Sequence, residues 1–391
     1  MDRVVVVGAS LAAVHAVEAL REHGYAGDIA LVGAEDVLPY DRPPLSKEAL
    51  REGVEPDKLL LRDPGWYDGQ GVTLRLGRTA IGLDTRDRAV VLEGGGRVPY
   101  DGVVLATGSR ARTVTCGPPG AERAVRSLRS LEDAVALRQE LLEARSLVVI
   151  GAGFIGLEVA ATAREMGLEV TVVELAPVPL ARVLGDEVGH WFRHYHAQRG
   201  VDVRCGVAVD EIERSAGNSK VRLRDGTVLS ADLVVAGVGA APATDWLAGS
   251  GLGLGDGVRC DEALRTTVPD VVAAGDVATW YNPLFDETMR VEQWNNAVIQ
   301  GRHAAGTLLG GGDACAVVPY FWSDQFEARM RFVGRSNAAS DVRVVESSDR
   351  RLVALFGRDS KIRGALCVNA PRQLALYRKA IEDQVHWGDV D

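Results

Sequence analysis

The chain alternates between short apolar runs, glycine-rich turns and helical segments, and the clearest such unit spans residues 148–174. Leu147–Ile150 is a continuous apolar run of the kind found in strands that are buried on both faces. A glycine-rich turn follows, then a segment from Phe154 to about Met166 with a helical pattern, and then the apolar run Val170–Val173. The pattern therefore predicts a strand, a turn, a helix and a second strand of a parallel sheet.

The turn of this unit has the spacing G-x-G-x-x-G, filled by Gly151, Gly153 and Gly156. In dinucleotide-binding proteins the first glycine makes the tight turn, the second lets the backbone approach a pyrophosphate, and the third lets the helix pack on the strand. The second strand ends on Glu174, where a carboxylate accepts ribose hydroxyls. The unit predicts a dinucleotide site, and a glycine turn without a ligand is the alternative.

The acid at this position also favours NADH over NADPH. A 2′-phosphate facing Glu174 would place like charges together, and NADP sites usually place an arginine nearby. The first arginine after Glu174 is Arg182.

A second, weaker copy of the unit opens the chain. The predicted strand Arg3–Val7 leads to Gly8, and Ser10 and Ala13 stand where the second and third glycines would be. A helix that ends at Gly24 follows. Serine and alanine are the smallest available replacements, so a close approach of backbone and ligand is retained in weaker form.

Segments 89–108 and 220–239 also resemble each other, since each predicts a hairpin followed by a buried strand. Each follows a glycine-rich unit, which indicates an internal repeat of two nucleotide-binding domains, with the second inserted in the first. Residues 110–131 suit the linker that crosses between them.

The return to the first domain ends on Gly275-Asp276, at the carboxyl end of a short apolar strand, where parallel sheets bind ligands. The alternative for Asp276 is a plain helix N-cap. A helix is predicted from Trp294 to about Leu309. From Pro319 onward, strands at 326–333, 342–345 and 352–356 and a helix over 371–381 predict a third, α+β domain.

Composition narrows the function classes. The formal net charge of −10 argues against non-specific binding to nucleic acid. No apolar run approaches the ~20 residues of a membrane span, so a cytoplasmic protein is expected. The five cysteines form no C-x-x-C or C-x4-C pair, which suggests neither a redox dithiol nor a metal site.

With these segments placed, the chain resembles the FAD-dependent NADH:ferredoxin reductases, which include the reductase components of aromatic-ring dioxygenases. The resemblance covers nearly the whole chain and rests on six segments: LPYDRPPLSK (38–47), LATGSR (105–110), GAGFIGLEVA (151–160), TVPDVVAAGDVA (267–278), VEQWNNAVIQG (291–301) and YFWSDQF (320–326).

The resemblance implies an α/β, glutathione-reductase-like fold with two Rossmann-like domains and a C-terminal α+β domain. The implied boundaries are 1–110 and 240–312 for the FAD-binding domain, 111–239 for the NAD-binding domain and 313–391 for the C-terminal interface domain. The family usually carries an acid for the FAD ribose where this chain has Ala34, and the adjacent Glu35 is the candidate substitute.

The same resemblance implies two sets of cofactor-binding residues. For FAD they are Gly8, Ser10, Leu11, Ala12, Glu35, Arg42, Pro44, Lys47, Ala106, Thr107, Gly108, Gly275, Asp276, Glu292, Gln293, Trp294 and Trp322. For NAD they are Gly151, Gly153, Phe154, Ile155, Gly156, Glu158, Glu174, Gly237, Val238 and Gly239.

Lys47 and Glu158 are the implied catalytic residues. By resemblance, Lys47 lies beside the reacting edge of the isoalloxazine and Glu158 is its partner, which would compensate two partly buried charges. The alternatives are an ordinary surface lysine and a solvated glutamate on a helix face. Ser46 is a candidate N-cap for a short helix that begins at Lys47. Trp322 and Asp324 would line the flavin edge, with core packing as the alternative for the tryptophan.

The implied partner is a ferredoxin, of the 2Fe-2S or another iron–sulfur type, that serves a cytochrome P-450 or a Rieske-type oxygenase. An NADH oxidase and an apoptosis-inducing-factor-like binding protein remain as alternatives. Residues 36–50 contain no cysteine, which disfavours disulfide chemistry. Arg329, Arg331 and Arg335 are candidates for a basic docking patch, and a monomer or weak homodimer is expected.

Overall fold

The computed structural model describes residues 1–114, 116–117, 125–215, 217–337 and 340–390. These residues form two compact units. The first contains residues 1–41, 56–110 and 241–320, and the second contains 42–55, 111–240 and 321–391. Because packing and not ligand binding defines these units, the predicted division into FAD-binding, NAD-binding and C-terminal domains stays a prediction. Within the predicted linker, residues 115 and 118–124 lie outside the described residues.

The described helices are α1 (Leu11–Glu22), α2 (Glu48–Arg51), α3 (Pro56–Leu59), α4 (Pro64–Gly69), α5 (Leu131–Glu143), α6 (Phe154–Glu165), α7 (Ala181–Ala197), α8 (Trp294–Leu308) and α9 (Pro371–Glu382). The described strands up to the end of the second parallel sheet are β1 (Arg3–Val7), β2 (Asp28–Val32), β3 (Val72–Arg75), β4 (Ala80–Asp84), β5 (Ala89–Leu92), β6 (Arg97–Pro99), β7 (Gly102–Leu105), β8 (Ser109–Ala111), β9 (Ser146–Ile150), β10 (Glu169–Glu174), β11 (Val201–Cys205), β12 (Val209–Ser215), β13 (Asn218–Leu223), β14 (Val228–Ala231) and β15 (Leu233–Ala236). The later strands are β16 (Ala240–Pro242), β17 (Leu254–Gly255), β18 (Gly257–Cys260), β19 (Val271–Ala273), β20 (Ala278–Asn282), β21 (Glu287–Arg290), β22 (Tyr320–Gln325), β23 (Ala328–Gly334), β24 (Asp341–Ser347), β25 (Leu352–Arg358) and β26 (Lys361–Val368).

The first unit is built on a parallel sheet with the strand order β19-β7-β1-β2-β3. Val4–Val7 of β1 are fully buried at its centre, as the continuous apolar run predicted. Helix α1 packs against α8, and the two backbones approach so closely that a Cβ at Gly301 would lie 2.3 Å from the carbonyl oxygen of Ala12. This packing sets the start of both helices at the carboxyl edge of the sheet.

The second unit contains a parallel sheet with the order β11-β10-β9-β15. Helix α6 connects β9 to β10 and ends at the cap residue Met166, after which Gly167 adopts a φ of +96°. The predicted strand, turn, helix and strand over residues 148–174 are therefore confirmed.

The internal repeat is also confirmed at the level of the strands. Each parallel sheet is accompanied by a three-stranded antiparallel sheet, β4-β5-β6 in the first unit and β12-β13-β14 in the second. In both units the antiparallel sheet leads directly into a fully buried parallel strand, β7 or β15.

The C-terminal segment forms a five-stranded sheet with the order β22-β23-β26-β25-β24, and α9 packs on it. Neither β22 nor β26 was predicted from the sequence, and the predicted strand start at Phe326 is wrong. Phe326 has a φ of +52° and lies in the turn between β22 and β23, so the strand begins at Ala328. Throughout the part of the chain that the structure describes, no helix is long and apolar enough to cross a membrane.

Candidate active site

The glycine turn of the second unit has two glycines that the protein itself requires. Gly151 has a φ of +99°, and a Cβ there would lie 2.5 Å from the carbonyl oxygen of Gly237. A Cβ at Gly156 would lie 2.1 Å from the carbonyl oxygen of Gly151. Gly153 is different, since a Cβ there would meet no atom closer than 3.7 Å. Protein packing therefore leaves room over Gly153, which fits the approach of a pyrophosphate to the N-terminus of α6.

The carboxylate of Glu174 is bound to this turn. One oxygen accepts a hydrogen bond from the backbone N–H of Ala152 at 2.6 Å, and the other accepts from the N–H of Ala176 at 2.7 Å. Ala152 stands between the first two glycines of the turn. Glu174 thus fixes the backbone on which a dinucleotide would lie. This structural role, in addition to the predicted contact with the ribose, was not evident from the sequence.

Lys47 and Glu158 are brought together, as the sequence predicted. The ammonium group of Lys47 lies 2.8 Å from Glu158 Oε2, and it also donates to the carbonyl oxygen of Pro43 at 2.8 Å. Their side chains are only 14% and 4% exposed, so the alternative of a solvated glutamate is wrong. A buried pair of this kind needs further hydrogen bonds to offset the loss of hydration.

Two serine hydroxyls supply those bonds. Ser46 Oγ donates to Glu158 Oε2 at 2.5 Å and Ser323 Oγ donates to Oε1 at 2.6 Å. Ser46 does not cap α2, whose N-cap is Lys47. The signal that could have found these partners is Glu158 itself, because a glutamate inside the apolar stretch Leu157–Ala163 must be satisfied by donors from elsewhere.

In the first unit the predicted FAD residues gather around Gly8 and Gly275. Gly8 has a φ of +108°, and a Cβ there would lie 2.1 Å from the carbonyl oxygen of Ala106. Gly275 donates its N–H to Gln300 Oε1 at 2.9 Å, and Asp276 Oδ2 accepts the hydroxyl of Ser109 at 2.8 Å. The N-cap alternative for Asp276 is wrong, because the N-cap of this short 3-10 turn is Ala274.

The start of α8 carries buried polar atoms with no protein partner. They are Gln293 Oε1, Asn296 Oδ1 and Gln300 Nε2. Asn296 and Gln300 are 1% and 0% exposed. An unpaired buried polar atom costs about 1–3 kcal/mol, so three along one helix indicate a group bound there. These residues fit FAD, which presents many polar atoms.

The other predicted FAD residues occupy varied positions. In the first unit, Tyr40 donates its hydroxyl to Glu35 at 2.6 Å, Thr107 donates to the carbonyl oxygen of Ala243 at 3.0 Å, and Trp294 donates to Asp41 at 2.7 Å. Ser10, Leu11 and Ala12 lie at the start of α1, Gly108 follows β7, and Glu292 pairs with Arg290. In the second unit, Arg42 donates to the carbonyl oxygen of Arg129, and Pro44 and Trp322 are half-buried.

The other predicted NAD residues flank the glycine turn. Phe154 starts α6 and its ring packs against Phe321 with centroids 4.8 Å apart. Ile155 is 47% exposed, which is unusual for a large apolar side chain beside a buried strand. Gly237, Val238 and Gly239 follow β15, and the N–H of Gly237 bonds to the carbonyl oxygen of Ile150 at 2.7 Å.

Four of the five thiols are poorly suited to redox chemistry. Burial raises the pKa of Cys260, Cys315 and Cys367 to about 12 in each case, so these groups stay protonated and unreactive. Burial also raises the pKa of Cys205. Among the described residues, no cluster of three His, Cys, Asp or Glu side chains could hold a metal ion.

Two protein-family models match most of the chain. The pyridine nucleotide-disulphide oxidoreductase model matches residues 2–301. The chain belongs to this family. A second model, for a reductase C-terminal domain, matches residues 320–389, which contain the five-stranded C-terminal sheet.

Similar proteins cover nearly the whole chain. The ferredoxin–NAD(+) reductase component of the anthranilate 1,2-dioxygenase system from Burkholderia cepacia is 38% identical over 382 residues, which are 97% of this chain and 94% of that protein. Putidaredoxin reductase from Pseudomonas putida is 37% identical over 391 residues, 98% of this chain and 92% of that protein. A chain of the covalent putidaredoxin reductase–putidaredoxin complex matches with a TM-score of 0.92 at 35% identity, covering 98% of this chain and 93% of that one. The predicted fold and the predicted resemblance to NADH:ferredoxin reductases are confirmed.

Proposed function

We propose that the protein is an FAD-containing reductase that takes a hydride from NADH and passes single electrons to an iron–sulfur ferredoxin. The ferredoxin would in turn serve a Rieske-type oxygenase or a cytochrome P-450. The relatives named above are the reductases of a dioxygenase system and of putidaredoxin.

The observation that carries the proposal is the buried pair of Lys47 and Glu158. Glu158 lies on α6, five residues after the N-cap Gly153. In a thiol-dependent member of the fold, a cysteine would be expected in the segment after the first nucleotide-binding unit. Residues 36–50 contain none and instead place a cation there. A fixed positive charge favours a redox centre that becomes more electron-rich on reduction.

FAD, when bound, can accept two electrons together and release them one at a time to an iron–sulfur cluster. We assign its binding to the turn at Gly8, to Gly275-Asp276 and to the unpaired polar atoms of α8. The positive end of α8 adds a favourable electrostatic contribution for a group that gains negative charge. In the second unit, Lys47 is the cation that the resemblance assigns to the flavin edge, and Glu158 keeps that cation in one place.

NADH binding is assigned to the turn at Gly151, Gly153 and Gly156. The free N–H groups at the start of α6 would receive the pyrophosphate. Glu174 holds the turn through Ala152 and presents its negative charge to the ribose, which disfavours a 2′-phosphate.

The proposal is tested with purified protein that has been incubated with FAD. We expect a yellow protein with non-covalently bound FAD that reduces at least one 2Fe-2S ferredoxin of a panel with NADH. A protein that stays colourless would refute the cofactor assignment. Rapid oxygen consumption without ferredoxin would favour an NADH oxidase. No electron transfer to any ferredoxin or to oxygen would favour a binding protein.

We also propose a cytoplasmic location. All five cysteines are free in the structure, which is typical of a reducing compartment.

A further inference from the structure

A chain of buried polar side chains extends from Glu158 into the second unit. Ser323, whose hydroxyl donates to Glu158, accepts a hydrogen bond from Gln325 Nε2 at 3.0 Å. Gln325 Oε1 in turn lies 2.8 Å from Nε2 of His196 on α7. Ser323, Gln325 and His196 are each 0–1% exposed. These hydrogen bonds thus connect α6, β22 and α7. Of the residues involved, the proposed function uses only Glu158.

The chemistry of these groups gives the chain one direction. A serine hydroxyl has a single proton, and here that proton goes to the carboxylate, so Ser323 must accept from Gln325. The amide oxygen of Gln325 can only accept, so the proton on this edge belongs to His196 Nε2. Every donor therefore points towards Glu158.

The surroundings of His196 favour the neutral imidazole that this direction requires. Its Nδ1 is buried without a partner, so a proton there would have no acceptor. The ring packs against Phe326 and Tyr195, and Arg199 stacks on Tyr195. The pKa of His196 is lowered to about 4, chiefly by burial; the hydrogen bond to Gln325 opposes this shift and the positive charge of Arg199 adds to it. Tyr195 and Arg199 also contact Glu327, an acid in the turn between β22 and β23.

We propose that Ser323, Gln325 and His196 are positioning residues, which form a one-way hydrogen-bond chain that holds the Glu158 carboxylate in place and, through it, the ammonium group of Lys47 at the redox site. The proposal rests on the proposed function for the role of Lys47. The chain acts through Glu158 alone, so each member should affect the redox centre only by way of the member before it.

The first test is the tautomer of His196 in the unaltered protein, measured by long-range 1H–15N NMR at neutral pH. We expect a neutral ring with the proton on Nε2. A cationic ring, or a proton on Nδ1, would overturn the proposal. This measurement needs neither FAD nor turnover, so it stands even if the proposed function fails.

The second test is the midpoint potential of bound FAD in the parent and in Ser323→Ala. The substitution removes a dipole whose positive end faces the carboxylate, which makes the local field more negative. We expect the potential to fall by about 30 mV, the equivalent of a tenfold change for a two-electron couple. Ser323→Thr retains a hydroxyl on a strand position and should restore the parental value. Ser219→Ala, at another buried serine on β13, is the matched control and should change nothing.

Coupling separates positioning from plain packing. Gln325→Leu should lower the potential less than Ser323→Ala, and it should add nothing in the Ser323→Ala background, because Gln325 acts through Ser323. Additive shifts in the double variant, an unchanged potential in Ser323→Ala, or an equal fall in Ser219→Ala would each refute the proposal. If the parent binds FAD and accepts electrons from NADH, but the variants have the same midpoint potential as the parent, the hydrogen-bond chain is refuted. The proposed function then remains intact.

Discussion

Replacing Glu174 by alanine should change both nucleotide preference and stability. For preference, a unit charge pair about 4 Å apart costs about 4 kcal/mol at an effective dielectric of 20. Glu174 is only half-buried, so solvent reduces this figure. A third of it, about 1.4 kcal/mol, already gives a tenfold difference in kcat/KM. We therefore expect the parent to prefer NADH by at least ~10-fold and Glu174→Ala to narrow that preference.

The stability effect comes from the two backbone donors that Glu174 satisfies. Ala152 is completely buried, so its N–H would lose its acceptor with no water to replace it. Ala176 is half-exposed and water can take over there. A buried N–H group without an acceptor costs about 1–3 kcal/mol. We therefore expect Glu174→Ala to lower the free energy of unfolding by this amount. Because the affected residue lies in the glycine turn, KM for NADH should also rise.

Steady-state kinetics with both nucleotides and a one-electron acceptor, together with denaturant unfolding, measure these effects. Glu169→Ala is the matched control, since it removes the same charge from the exposed first residue of β10. Equal use of NADH and NADPH by the parent would refute the assignment of Glu174. An unchanged ratio in Glu174→Ala, or the same losses in Glu169→Ala, would refute the mechanism.

Three further results are expected. Lys47→Ala and Glu158→Ala should each slow flavin reduction by NADH. In the double variant the rise in activation free energy should be less than the sum of the two single effects. A double-mutant cycle measured by stopped flow tests this, and strictly additive effects would show that the two side chains do not act together. Burial lowers the pKa of His196 to about 4 from about 6.5 in the unfolded chain, so the unfolded state binds more protons and stability falls by about 2 kcal/mol between pH 7 and pH 5. Denaturant unfolding should show this slope in the parent and not in His196→Asn; parallel slopes would contradict it. Arg329→Gln should slow electron transfer to an acidic ferredoxin severalfold at low salt and less at high salt. Arg331→Gln should have a smaller effect, because Arg331 is half-buried. A bimolecular rate constant that does not change with salt would argue against electrostatic steering.

The sequence predicted the features that depend on local backbone geometry. Gly156 is required by its contact with Gly151 in the same turn, and Gly151 adopts a positive φ, so the spacing of the two glycines identifies the turn. Helix ends at Gly24 and Gly167 follow the same local logic, because both glycines have positive φ. The pairing of Lys47 with Glu158 came from the resemblance and not from spacing, since 111 positions separate the two residues.

The features that the sequence did not reveal depend on contacts between distant segments. Ser323 is 165 positions from Glu158, and Gln325 is 129 positions from His196. Serine and glutamine are common on strands, and no local pattern marks them as partners of a buried acid.

The predicted basic patch shows the same limitation. Asp324 is predicted to line the flavin edge, and its carboxylate forms ion pairs with Arg329 at 3.2 Å and with Arg331 at 2.8 Å. The shared partner confirms that the two arginines lie on one face of β23. It also reduces the combined charge of Asp324, Arg329 and Arg331 to +1. The role of this patch in docking, with Arg335, stays a prediction.

Helix α6 connects the two parts of the proposed reaction. Its N-cap, Gly153, belongs to the glycine turn, and Glu158 lies five residues further, which is about 7.5 Å along a helix with a rise of 1.5 Å per residue. Glu174 fixes the first end through Ala152, and Ser46 and Ser323 fix Glu158. A rigid helix transmits displacement along its axis, so a change in the glycine turn should reach the lysine pair. Flavin reduction in Glu174→Ala should therefore slow even at saturating NADH, whereas a binding defect alone would disappear at saturation.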